Sequence, residues 1–185
     1  MDRQPVLENE RFLLRPLAED DWDALFAIAS DPAIWEQHPM HDRWRVDVFR
    51  DFFIDALAKG GALAIIDKTR GEAGEIIGSS RFQVFEEGDG GSVEIGWTFF
   101  ACRCWGKGIN RAVKRMMLSH AFQNVARVDF RVGETNYRSR IALENIGAER
   151  SRRTELVRYD GKRVLHIVYE LTRDAFESGL GGEEA

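Results

Sequence analysis

The stretch that decides the fold runs from residue 92 to residue 122 and has three parts. It begins with SVEIGWTF (residues 92–99), in which large and small or polar side chains alternate as in a β-strand. WGKGIN (residues 105–110) follows, with glycines at 106 and 108. From about Ile109 to Phe122 the apolar residues recur with the period of a helix. The stretch therefore predicts a strand, a tight turn and an amphipathic helix.

The turn at residues 105–110 has the features of an anion site. Glycine permits a tight turn and close backbone approach, and the first N–H groups of a helix are unpaired and point at whatever lies in front of them. Lys107, Arg111 and Lys114 add positive charge. A third glycine, or the Lys-Ser/Thr ending of a P-loop, is missing. On the residues alone, a pyrophosphate site and a plain strand-to-helix turn both stay open.

The rest of the chain predicts a single α/β (α+β) domain. Strand patterns cover 11–15, 62–67, 75–85, 92–99 and 128–132, with a final pair around an Asp160-Gly161 hairpin turn. Helical patterns cover 22–29, 49–57, 109–122 and 136–146. We expect a mostly antiparallel mixed sheet of about seven strands flanked by about four helices, with one βαβ crossover. The domain would span residues 1–175, and residues 176–185 would form a frayed tail.

Composition narrows the function classes. The net charge of −5 argues against a general nucleic-acid or anionic-membrane binder. No stretch approaches the ~18 consecutive apolar residues of a membrane span, and the first eleven residues lack a signal-peptide core, so we expect a cytoplasmic protein. The two cysteines, Cys102 and Cys104, have no further ligands to complete a zinc site, so we predict no metal.

Three segments resemble the GNAT acetyltransferases over roughly residues 7 to 172. EIGWT (residues 94–98) followed by WGKGIN is similar to motif A of that family. NYRS (residues 136–139), with Gly147-Ala148 downstream, resembles its motif B, and LENERFLLRP (residues 7–16) resembles its first strand. The similarity is strongest to the branch of the ribosomal-protein N-terminal acetyltransferases RimJ and RimL.

The resemblance implies acetyl-CoA as acetyl donor, with its pyrophosphate on the turn. The residues that it assigns to cofactor binding are Phe99, Phe100, Trp105, Gly106, Lys107, Gly108, Ile109, Asn110, Arg111 and Asn136. Two side chains depart from the common family pattern, since Arg or Gln is usual at Trp105 and Gly or Ala at Asn110. Both changes should be tolerated, because the turn would contact phosphate mainly through its backbone N–H groups.

The catalytic roles have several candidate residues. We predict Glu94 as general base, directly or through water, with Glu155 as a second candidate; a surface carboxylate is the competing interpretation. The backbone N–H at Phe100 or its neighbour would stabilise the oxyanion. Many family members carry a Tyr that protonates the thiolate, but Leu143 stands at that position. Ser139 is our candidate for this role, unless it is an ordinary residue of the first helical turn.

The sequence does not decide which molecule accepts the acetyl group. Three interpretations compete: transfer to a protein or peptide N-terminus, transfer to a small-molecule amine, and a CoA-binding sensor that has lost catalysis. In this family the early helical region with Trp35, His38, His41 and Trp44 resembles the acceptor-binding wall, but we favour the interpretation that these are packing and loop residues. The sequence also leaves open a homodimer.

Overall fold

The computed structural model describes residues 1–88, 90–159 and 161–180. Within these ranges the chain forms one sheet of eight strands. The strands are β1 (Leu7–Glu8), β2 (Phe12–Pro16), β3 (Ala62–Asp67), β4 (Glu75–Glu86), β5 (Ser92–Phe100), β6 (Arg127–Gly133), β7 (Glu149–Tyr159) and β8 (Lys162–Thr172).

Six α-helices accompany the sheet in the described part of the chain. They are α1 (Trp22–Ala29), α2 (Pro32–Trp35), α3 (Val46–Lys59), α4 (Ile109–Ala121), α5 (Tyr137–Glu144) and α6 (Arg173–Ser178). Side chains fix several of the helix starts. The Asp31 carboxylate accepts from the N–H of Ala33 at α2, with Pro32 in the first helical position, and Thr172 caps α6 in the same way.

The strands are arranged in the order β1-β2-β3-β4-β5-β6-β8-β7. All neighbouring strands run antiparallel except β5 and β6, which are parallel because α4 forms the crossover between them. Their pairing is short. It covers only Ser92–Glu94 against Arg127–Asp129, although both strands continue beyond it.

Helices cover both faces of the sheet. On one face, α4 lies over the centre, where Lys114 bonds Thr98 of β5 and His120 packs on Phe82 of β4. On the other, α3 packs against β5 through Phe52 on Trp97. The core between α1, α3 and β5 is rich in aromatic side chains, which stack with ring centroids 5.3–6.4 Å apart: Trp22, Phe26, Trp35, Phe49, Phe52, Phe53 and Phe99.

The predicted fold class is confirmed, with eight strands and six helices in the described residues where about seven and four were expected. The additional elements are the two-residue β1 and the short α2 and α6, which are too brief for a periodic pattern to register. The predicted tail boundary at residue 176 lies inside α6, where Phe176 and Leu180 are buried. Residues 181–185 and the Asp160 half of the predicted hairpin turn lie outside the described residues.

The predicted alternation along β5 is wrong from Trp97 onward. Trp97 has a φ of 57°, and the register between β4 and β5 shifts at this point. A residue in the left-handed region turns the following side chains to the other face. Ile95 therefore lies opposite Phe82 on the α4 face, whereas Trp97 and Phe99 pack against Phe52 on the α3 face.

Candidate active site

The separation of β5 from β6 opens a cavity in the middle of the sheet. Beyond Glu94 and Asp129 the two parallel strands have no paired residues, and a cavity of about 550 Å³ lies between their C-terminal halves. The walls come from residues 95–100 of β5, residues 130–133 of β6, the turn before α4, the inner side of α5 and the segment after α2.

The predicted turn lies at one end of this cavity and is shaped for a large anion. Gly106 and Gly108 have φ values of 70° and 73°, and no atom lies within 4 Å of the position that a Cβ would occupy on either. The positive φ therefore favours glycine at both positions, while the space in front of the turn is left open. Because α4 begins at Ile109, its first N–H groups are directed into that space. A pyrophosphate fits the arrangement.

Most of the residues predicted to bind cofactor line the cavity. Lys107 is the exception and is exposed on the turn. Asn136 is buried, and its side-chain oxygen accepts from the N–H of Ser139 at 3.2 Å, so it caps α5. The members that line the cavity are Phe99, Phe100, Trp105, Gly106, Gly108, Ile109, Asn110, Arg111 and Asn136.

Trp105 connects the turn to the neighbouring helix. The guanidinium carbon of Arg138 lies 4.0 Å from the Trp105 ring centroid, and the indole N–H donates to the carbonyl of Phe100 at 3.3 Å. Arg138 also donates to the carbonyl of Ile34 at 2.6 Å. The turn, the end of β5, α2 and the start of α5 are therefore held together around one side chain.

Glu94 is buried within the sheet, next to the cavity rather than in its wall. Its Oε1 accepts from Gln83 at 2.7 Å, and its Oε2 lies 3.4 Å from Nε of Arg131, with no hydrogen-bond partner of its own. Burial raises the pKa of this carboxyl, and Arg131 and Gln83 offset only part of that rise. Gly96 and Arg131, which do line the cavity, connect Glu94 to it.

Glu155, the second candidate base, is exposed. Its Oε2 lies 3.4 Å from the same Nε of Arg131, so one guanidinium bridges the two carboxylates. Ser139 and Leu143 both lie in the cavity wall on α5, where Ser139 is half-buried and Leu143 is buried.

Lys114 is a cavity residue whose position the sequence analysis missed. We expected it to add charge near the turn; instead it is 3% exposed and lines the cavity below the turn. Its Nζ donates to Thr98 at 2.7 Å and to Ser80 at 3.1 Å. Burial lowers its pKa to about 7. Position 114 lies outside the predicted apolar stripe, and only the packing of α4 on the sheet buries it.

The segment after α2 forms a further part of the cavity wall. His38 lines it together with Arg43, a residue that was not predicted from the sequence. Trp35 is buried and belongs mainly to the core, while His41 and Trp44 are exposed. Of the four residues considered for the acceptor wall, Trp35 and His38 therefore contact the cavity.

The cysteines carry no reactive feature. The Cys102 thiol donates to the Asp31 carboxylate at 3.1 Å, and burial together with that carboxylate raises its pKa to about 11. Among the residues that the structure describes, no three His, Cys, Asp or Glu side chains converge on a metal position. None of the described helices is both long and apolar enough to cross a membrane.

A parallel strand pair that separates in front of a helix start gives the fold a cavity that can take an anionic cofactor. The chain belongs to the GNAT acetyltransferase family: the model of the acetyltransferase (GNAT) domain matches residues 11–149. GNAT acetyltransferases use acetyl-CoA, which supplies the thioester when bound. No curated protein sequence matches the chain.

Solved structures agree in fold over nearly the whole chain. A GCN5-related N-acetyltransferase from Brucella melitensis is 18% identical with a TM-score of 0.80, covering 97% of this chain and 83% of its own. Mycobacterium smegmatis RimJ in complex with CoA-disulfide is 21% identical, with a TM-score of 0.71 and coverages of 92% and 86%. Spermidine N-acetyltransferase from Vibrio cholerae, with CoA and spermine, is 15% identical, with a TM-score of 0.65 and coverages of 91% and 99%.

Proposed function

We propose that the protein transfers the acetyl group of acetyl-CoA to a primary amine by direct attack in a ternary complex. The observation that carries the proposal is the cavity between β5 and β6, whose wall includes the turn shaped for an anion and which lies next to a buried carboxylate with a raised pKa. A donor thioester and an acceptor amine can meet there without a covalent enzyme intermediate, and the unactivated thiols of Cys102 and Cys104 suit that route.

Glu94 is proposed to remove the proton that the amine loses on attack. An α-amino group has a reference pKa of about 7.7–8.0, so only modest assistance is needed, whereas a Lys side chain near ~10.4 needs more. A raised carboxyl pKa brings the base closer to the pKa of its substrate. Because Glu94 is not in the cavity wall, a water molecule beside Gly96 would carry the proton. The backbone N–H at Phe100 or its neighbour would stabilise the developing oxyanion.

Two cavity residues can return a proton to the departing thiolate. Ser139 is one, on the first turn of α5. Lys114 is the other: with a pKa lowered to about 7, its ammonium releases a proton far more readily than an ordinary lysine. Leu143 occupies the position of the family's usual Tyr. We therefore propose that Lys114 and Ser139 share the role of proton donor to the thiolate.

For the acceptor, the resemblance to the RimJ and RimL branch favours a peptide α-amine, and a small amine is the alternative. The deciding experiment is a mass-spectrometric screen that offers acetyl-CoA with N-terminal peptides and with small amines. Acetylated product with concurrent release of free CoA supports the enzyme. If acetyl-CoA binds and no amine in either panel releases CoA, the protein is a CoA-binding sensor and the proposal fails.

A further inference from the structure

A buried arginine, for which the described part of the chain supplies no carboxylate partner, lies in the cavity wall beside the segment after α2. Arg43 is only 5% exposed, yet it contributes to the cavity wall. Its guanidinium carbon lies 4.8 Å from the ring centroid of Trp97, 4.9 Å from that of Phe52 and 5.5 Å from that of Trp35. Three aromatic faces hold the group in place and strip it of water, but they do not neutralise its charge.

The nearest polar group is shared between Arg43 and a backbone N–H. Nη1 of Arg43 lies 3.2 Å from Nε2 of His38, while the N–H of Met40 lies 2.9 Å from Nδ1 of the same ring. A neutral imidazole has one acceptor nitrogen, so it cannot accept from both groups. His38 therefore gives Arg43 at most one neutral acceptor and no negative charge.

The surrounding charges leave Arg43 cationic. Burial lowers its pKa only to about 10, whereas burial and the neighbouring Arg43 lower the pKa of His38 well below its usual value, which keeps the imidazole neutral. Arg131 also lines the cavity, but it is offset by Glu94 and Glu155. Among the described residues, no carboxylate lies within ion-pair distance of Arg43.

We propose that this part of the cavity recognises a carboxylate on the acceptor, bound by the Arg43 guanidinium beside His38. The acceptor would then be an amine that carries a carboxylate, as an amino acid or a peptide with an acidic first residue does. The carboxylate accepts hydrogen bonds from the guanidinium, and the positive charge gains its partner. The site disfavours polycationic amines for the same reason. This inference rests on the proposed amine acetyltransferase function.

The test compares matched acceptors. Free amino acids are measured against their amides, and C-terminally amidated peptides that begin with Asp or Glu against those that begin with Asn or Gln. We expect kcat/KM to favour the carboxylate member of a pair about 10-fold or more, as a charge-assisted hydrogen bond implies. Preference in the amino-acid pairs identifies a small-molecule acceptor, and preference in the peptide pairs a protein N-terminus; either supports the inference.

Variants locate the preference. Arg43→Gln should bring the ratio of carboxylate to amide acceptor to within about twofold of one and leave acetyl-CoA binding unchanged. Arg45→Gln is the matched control, because Arg45 lies in the same segment but is exposed and paired with Asp47. The control should keep the wild-type ratio.

A measurement on the wild type alone keeps the test independent of variant folding. Carboxylic acids that lack the amine should compete with the acceptor, and the corresponding amides should not. If acids and amides inhibit alike, or if matched acceptors react equally well, the carboxylate site is wrong while the acetyltransferase stands. If no amine is acetylated at all, the proposed function fails first and this inference falls with it.

Discussion

At the scale of single residues, the site depends on polar groups that the fold buries without fully satisfying them. Among the described residues, one carboxylate oxygen of Glu94 has no hydrogen-bond partner, and no carboxylate pairs with Arg43. Such groups cost stability wherever they occur, so a fold that keeps them next to a cavity has a use for them. The consequence is that replacing them should harm activity more than stability.

Glu94→Gln is the sharpest test of that statement. The amide can keep the hydrogen bond from Gln83 but cannot accept a proton, so we expect the acetylation rate to fall about 100-fold near pH 6 and much less near pH 9, where the amine is already neutral. Since the raised pKa means that the fold favours the uncharged carboxyl, the melting temperature at pH 7 should be unchanged or higher.

The control for Glu94 is Glu155→Gln, which removes the other carboxylate beside Arg131 but is exposed. We expect a change in rate of less than about threefold. Rates measured from pH 6 to pH 9 for both variants check the assignment. A uniform loss across pH for Glu94→Gln, or the larger loss in Glu155→Gln, would move the base to another group.

Lys114→Met separates catalysis from structure in a second way. Its folded pKa of about 7 lies below the ordinary 10.5, so the unfolded chain binds the extra proton and the stability contributed by this lysine rises with pH between those values. The Met variant should therefore gain stability over the wild type at pH 7 and lose most of that gain by pH 10. We also expect the kcat of Lys114→Met to drop about 10-fold with little change in acetyl-CoA affinity.

Urea unfolding at both pH values and steady-state kinetics measure these effects. Equal stability differences at both pH values would show that Lys114 is not buried as an amine.

At the scale of elements, the sequence predicted most of the strands and helices because hydrophobic periodicity depends on local burial. The limits of β3 agree to the residue, and α4 begins at the predicted Ile109. What the sequence could not predict depends on contacts between distant segments. Trp97 takes a positive φ although it is not glycine, and this bulge moved the second half of β5 to the other face.

The same distinction applies to the site. The turn at residues 105–110 was predictable because its chemistry is local: two glycines followed by a helix start. Arg43 was not, since its role depends on rings contributed by α2, α3 and β5. Lys114 was misassigned because one residue on an amphipathic helix can point to solvent or to a cavity, and only the packed sheet decides.

Gly108→Val tests the turn as an element. We expect acetyl-CoA binding, followed by isothermal titration, to be lost, because the branched side chain fills the space in front of the first N–H groups of α4 and also disfavours the φ of 73°. The strain alone should cost about 1–2 kcal/mol of stability.

Gly161→Val is the matched control for that strain. Gly161 has a φ of 76° and nothing within 4 Å of a Cβ, but it lies in the turn between β7 and β8 and does not line the cavity. The two variants should lose similar stability, and only Gly108→Val should lose acetyl-CoA. Retained binding in Gly108→Val would remove the pyrophosphate from this turn.

At the scale of the whole molecule, the separation of β5 from β6 creates the cavity but also removes hydrogen bonds from the centre of the sheet. Other contacts must therefore stabilise the rest of the sheet. One anchor lies on its far side, where Asp67 at the end of β3 is fully buried and accepts from Arg11 at 3.0 Å and from Thr69 at 2.6 Å. These contacts connect the residue before β2, the end of β3 and the turn after β3.

Asp67→Asn should therefore weaken the whole domain in a pH-dependent way. Burial alone would raise the pKa of Asp67, but the hydrogen bonds from Thr69 and Arg11 outweigh it and lower the pKa to about 2. The stabilisation is present above the ordinary value of 3.8 and is lost as the pH falls toward 2. We expect Asp67→Asn to lose about 1–2 kcal/mol of unfolding free energy at pH 7, after allowance for the solvent exposure of Arg11, and almost nothing at pH 2.

Asp47→Asn is the control. Its carboxylate is exposed and pairs with Arg45, so the substitution should change the stability little at either pH. Chemical denaturation of the three proteins at both pH values measures the difference, and an equal loss for Asp67→Asn at pH 7 and pH 2 would mean that its charge does not anchor the sheet.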